Sequence, residues 1–77
     1  MPRYFFHVYD DVVAHDDEGL ELPNEAAARL KALIGARELM AEQVKHGYLV
    51  QAPWIDIVDE QGGVLFSQTF GEALDIK

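Results

Sequence analysis

Seventy-seven residues without a cysteine form one small domain spanning 1–77, and they exclude a disulfide framework and any thiolate metal site. Fourteen acidic against six basic residues give a formal charge of −8, which repels phosphate backbones and anionic lipid and so counts against nucleic-acid and membrane partners. The hydrophobic content of 49% is that of a folded chain. So small a core commonly needs reinforcement, which here leaves either very efficient packing or self-association, expected as a homodimer.

The chain opens with its clearest strand, Arg3 to Tyr9, a run of aromatic and β-branched residues. Alternation puts Tyr4, Phe6 and Val8 on one face and Phe5, His7 and Tyr9 on the other, and both faces are largely apolar. Asp10-Asp11 turns the chain, and Val12 to His15 reads as a short second strand. Asp16-Asp17-Glu18-Gly19 is an acidic bend, and Leu20 to Leu22 then runs extended into Pro23.

Asn24 is the expected N-cap of a long helix that ends near His46, with Gly47 as the residue that stops it. At about 100° per residue, Ala26, Leu30, Leu33, Ile34, Met40, Ala41 and Val44 fall on one stripe, the expected core face. Arg37 lands inside that stripe and Leu39 on the opposite, mostly charged side. Gly35 weakens the helix by about 1 kcal/mol relative to alanine and would let the sheet approach closely. After a connecting segment, Trp54 to Val58 is a third strand, Asp59 to Gly63 a hairpin turn with two glycines, and Val64 to Thr69 a fourth strand. Phe70 to Leu74 makes a last helical turn, and Asp75 to Lys77 is expected to fray.

The order β-β-α-β-β predicts an α+β fold: a mainly antiparallel four-stranded sheet with the helix across one face. The second face is then open. Its lining is drawn from Phe5, His7 and Tyr9 together with either Trp54, Asp56 and Val58 or Ile55 and Ile57. Phe5, His7, Tyr9 and Trp54 are the candidate interaction face.

Pro2-Arg3-Tyr4-Phe5-Phe6-His7-Val8 resembles the opening of an uncharacterised family of small bacterial proteins, common in rhizobia and other alphaproteobacteria. The similarity continues through Asp17-Glu18-Gly19, Glu21-Leu22-Pro23, Glu25-Ala26-Ala27, Ala36 to Leu39 and Ile57 to Glu60, nearly the whole chain. It departs at Asp10-Asp11, where Asp-Gly is common, and at Asn24, where Asp is usual. The resemblance implies a bacterial, cytoplasmic protein and no known activity. A looser, fold-level likeness is to the HicB antitoxins, which pair an N-terminal hairpin, an acidic Gly-containing bend and a helix.

Chemistry-bearing residues are sparse. His7 has His15 as its nearest possible partner, and a structural histidine bonded to backbone or carboxylate is the expected reading. Asp16, Asp17, Glu18 and Glu21 lack the alternating spacing of a calcium loop. Arg37, within an apolar stripe, is expected in a structural ion pair with Glu21, Asp56 or Asp59, or else to hold a ligand carboxylate. Ser67 is the only serine, in a strand without an adjacent histidine. No catalytic residue, cofactor or metal site is predicted. The leading expectation is a non-enzymatic module that self-associates through its sheet. The alternatives are a regulatory or antitoxin-like protein holding a basic partner, and a ligand binder or enzyme using His7 and Arg37.

Overall fold

The computed structural model describes residues 1–74, so the expected fraying of Asp75 to Lys77 lies outside the described residues. Its strands are β1 (Arg3–Tyr9), β2 (Val13–Ala14), β3 (Leu20–Glu21), β4 (Trp54–Val58) and β5 (Val64–Thr69). The helix α1 (Glu25–Lys45) separates β3 from β4, and a 3₁₀ turn (Gly71–Ala73) follows β5. All pairings are antiparallel, in the order β2-β1-β4-β5, with β3 beside the N-terminal half of β1. The α+β architecture is as expected, with five strands in place of four. Leu20–Glu21 becomes a strand only because Arg3↔Glu21 and Tyr4↔Leu20 are in register, and Leu22 N–H extends the pairing by donating to the Pro2 carbonyl at 3.0 Å.

The helix ends follow from two residues. The Asn24 side chain accepts from the Ala27 amide at 2.9 Å, satisfying an otherwise orphaned donor. At the other end Gly47 adopts φ 87°, its amide donates to the Val44 carbonyl and the Tyr48 amide donates to the Gln43 carbonyl, the paired bonds of a Schellman motif. The β4–β5 turn is set by Asp59, whose Oδ1 accepts from the amides of Gln61 and Gly63 at 2.9 and 2.8 Å.

Tyr4, Phe6, Val8, Ile55 and Ile57 lie on the helix side of the sheet, joined in the core by Phe70 and Ala73. The helix face that meets them is rotated from the expected stripe, of which Met40 is buried and Leu33 packs against the core as expected. Ala28, Ala32, Ala36, Met40 and Gln43 are buried, whereas Leu30, Ile34 and Val44 are 57%, 43% and 59% exposed. Alanines at i, i+4 and i+8 let the backbone come close to the two β4 isoleucines, and a row of leucines there would hold the helix off the sheet. Close approach depends on these alanines and not on Gly35, where an added Cβ would meet only the Ile55 Cδ1 at an ordinary 3.7 Å.

The helix packs against β4 and β5 and leaves the inner face of β1 less covered. One helix is about 10 Å wide and strands repeat at about 4.8 Å, so α1 roofs two strands of the four in line.

Candidate interaction surfaces

The open face of the sheet carries Phe5, His7 and Tyr9 from β1 opposite Val58, Asp56 and Trp54 from β4. The Tyr9 and Trp54 rings stack at 5.2 Å with planes 11° apart, and His15 packs edge-on to His7 at 5.1 Å. The structure thus brings together Phe5, His7, Tyr9 and Trp54. It leaves them half-covered by one another and by the 15–19 bend; Trp54 remains 39% exposed.

That bend is built on Asp16. Its carboxylate accepts from the amides of Gly19 (3.0 Å), Glu18 (3.2 Å) and Phe6 (3.2 Å), and its own amide donates to His7 Nδ1 at 3.0 Å. With Nδ1 accepting, the neutral ring carries its proton on Nε2, and His7 acts as a clip between strand and bend. Partial burial opposes ionisation of Asp16, but the three amides from Gly19, Phe6 and Glu18 and the nearby His7 outweigh it, and the carboxyl sits below its ordinary value. A carboxyl depressed on folding contributes stability that is full above its unfolded pKa, near 4, and is lost as pH falls through the lower folded value. Urea unfolding of the protein and of Asp16→Asn at a series of pH values should therefore show a constant gap above about pH 5 that narrows below about pH 4. A gap independent of pH down to acid would show that the charge of Asp16 does not hold the bend.

His7, Asp56 and Ser67 form a row across β1, β4 and β5, with the Ser67 hydroxyl donating to Asp56 Oδ1. A serine nucleophile needs the imidazole between itself and the carboxylate. Here the carboxylate is in the middle, on an open sheet surface, and His7 Nδ1 is already engaged by a backbone donor. The Ser67–Asp56 bond ties β5 to β4, while His7 ties β1 to the bend.

Arg37 does not form the expected ion pair with Glu21, Asp56 or Asp59. It lies on the exposed flank of α1, and its Nε donates to the Ala73 carbonyl at 2.7 Å, tying the helix to the 3₁₀ turn. Glu21 instead pairs with Arg3 at 3.0 Å, Asp56 holds Ser67, and Asp59 holds its own turn. An arginine in a stripe that faces solvent needs no buried partner.

The stripe containing Arg37 is the surface that sequence reasoning misplaced. Ala26, Leu30, Ile34, Arg37, Ala41 and Val44 follow each other at spacings of four, four, three, four and three residues, along the flank of α1 from which Arg37 reaches the 3₁₀ turn that follows β5. The opposite flank, with Lys31, Gly35, Glu38, Leu39 and Glu42, overlooks β1.

The family described as "Domain of unknown function (DUF6894)" matches residues 3–71. The chain belongs to the DUF6894 family. The match spans every strand of the domain and α1, so the sheet, the helix and both of its flanks are all within it. No curated protein and no solved structure matches the chain. Among the described residues no helix of this DUF6894 domain is long and apolar enough to cross a membrane.

Proposed function

We propose that this DUF6894 domain is a small protein-interaction module that self-associates, and that its seam runs along the edge strand β5 and the flank of α1 above it. The observation that carries the reading is the second apolar face of α1, with Leu30, Ile34 and Val44 each about half exposed while alanines fill the core side. Leucine, isoleucine and valine in line on a solvent face cost solubility without adding to the monomer core.

The spacing of the elements favours a second copy as the cover. α1 packs alike against β4 and β5, so its axis is taken to run over the gap between them. If a partner β5 pairs antiparallel with this one, the twofold axis falls about 2.4 Å beyond β5 and about 5 Å from the axis of α1 in projection. The two helices then lie about 10 Å apart, the distance at which helices pack. Antiparallel pairing of the two β5 strands puts the twofold perpendicular to the sheet, so the helices lie on the same side of it and run antiparallel. A flank about 30 Å long and two layers deep offers on the order of 600 Å² from each copy, enough in total for a specific interface. The Leu65 bulge, where the β4–β5 register shifts at Ile57/Val58, confines regular edge pairing to Phe66–Thr69.

Light scattering coupled to size exclusion should give twice the chain mass, and Leu30→Glu or Ile34→Glu should return the monomer with its helical circular dichroism intact. A monomer at every concentration overturns the reading. So does a dimer that tolerates both substitutions but is broken by Tyr9→Ser or Trp54→Ser, which would place the contact on the open sheet face.

A further inference from the structure

The flank of α1 facing away from the proposed seam leaves a groove of about 480 Å³ between the helix and β1. Its floor is Phe6, Val8 and Ile55, its wall Gly35 and Leu39, and Glu38 and Glu42 stand on its rim with Lys31 at one end. It adjoins a smaller hollow that shares Val8, Leu39 and Glu42 and adds Asp10 from the β1–β2 turn.

We infer that this groove takes an amphipathic α-helix with a basic polar face, supplied by a different protein. The space exists because one helix roofs two strands, and what remains over β1 is about one helix wide. Gly35 deepens the wall: its missing side chain leaves Ile55 as the nearest atom at 3.7 Å. A partner helix would lay residues at i, i+3, i+4 and i+7 on Phe6, Val8 and Leu39. Charge selects its sign. Glu38 and Glu42 sit one turn apart on one rim and Asp10 extends it beyond, against the single Lys31. Glu42 has Lys45 at 3.7 Å and His46 at 3.3 Å for company, so Glu38 and Asp10 offer the less compensated charges. An acidic rim on a chain of charge −8 steers lysine- and arginine-bearing helices in and repels acidic ones. A second copy of this acidic chain is the poorer electrostatic match.

The probe is a synthetic helical peptide with leucines at i, i+3, i+4 and i+7 and lysines elsewhere, titrated into the isotopically labelled full chain. Amide shifts should centre on Phe6, Val8, Gly35 and Leu39. Gly35→Leu fills the groove while replacing the weakest helix former in α1, and it should lower affinity by about tenfold or more. Glu38→Lys with Glu42→Lys should do the same and flatten the salt dependence. The peptide with glutamates in place of lysines should not bind. Equal binding by the glutamate peptide, equal binding to Gly35→Leu, or shifts centred on Tyr9 and Trp54 overturn the inference. Conversion of a dimer to a monomer by Gly35→Leu also overturns it, by assigning the groove to a second copy. Ile34→Glu should leave peptide binding unchanged, which separates this groove from the seam on the other flank.

Discussion

Phe70→Ala should remove about 3–5 kcal/mol of stability, the usual cost of emptying a large buried aromatic site. Phe70 is 1% exposed and, with Ile57, one of the two largest fully buried side chains. At 0.05–0.15 kcal/mol per residue, 77 residues carry about 4–12 kcal/mol in all, so this one ring accounts for a large share. Its place is fixed by backbone as well as by packing: the Phe70 amide donates to the Pro53 carbonyl at 2.9 Å, continuing the β4–β5 pairing one step beyond Thr69. The chain then turns through Gly71–Ala73 and puts the buried Ala73 under α1. Urea unfolding monitored by circular dichroism measures the loss. Phe70→Leu, which keeps most of the volume, should cost roughly 1–2 kcal/mol, and a loss below about 1 kcal/mol for the alanine variant would place the ring outside the core.

The strands and the ends of α1 were legible because local chemistry decides them. Arg3–Tyr9 is a run of aromatic residues with the β-branched Val8, Asp59 and Gly62 define a turn, and Asn24 and Gly47 satisfy or release the helix termini whatever packs elsewhere. What stayed hidden depends on distance between elements. Both faces of β1 are apolar, so nothing local says that Tyr4 and not Phe5 goes under the helix. A two-residue strand such as Leu20–Glu21 exists only through its partner.

The core face of α1 was misread because hydrophobicity weights leucine and isoleucine above alanine, while a sheet lined by Ile55 and Ile57 has room only for the smaller side chain. Two signals pointed the other way. Ala28, Ala32, Ala36 and Met40 repeat at an unbroken four-residue step, and a lone arginine at the middle of the Leu/Ile/Val stripe is at home on a surface. Gln43 was invisible for a related reason: it is buried because its Oε1 accepts from the Val50 amide at 2.9 Å, a partner outside the helix. The candidate face fared differently. Phe5, His7, Tyr9 and Trp54 share a side by strand alternation and pairing register, but their free area is reduced by the Asp16 bend, whose hydrogen bonds no spacing rule announces.

Gly19→Ala should cost about 2–4 kcal/mol, well beyond the ordinary penalty for a left-handed glycine. Gly19 sits at φ 71°, where any side chain adds roughly 1 kcal/mol of strain. At this position a Cβ would also lie 2.8 Å from Arg3 Cγ and 2.8 Å from Phe5 Cε2. The arginine stem can move, since its pairing with Glu21 is on the surface. The Phe5 ring is less free, lying between the bend and the β1–β4 surface, so either the ring or the bend must shift, and the bend carries the amides bonded to Asp16. Gly62 supplies the matched comparison: φ is 84°, and nothing lies within 4 Å of its added Cβ. Gly62→Ala therefore reports backbone strain alone, and the excess loss at Gly19 reports the steric part. Equal losses in urea unfolding at the two sites would mean that the bend gives way freely and does not lock onto β1. A clear excess, together with weakened hydrogen-exchange protection at the Phe6 amide, would identify Gly19 as the point where the acidic bend is pinned over the aromatic strand.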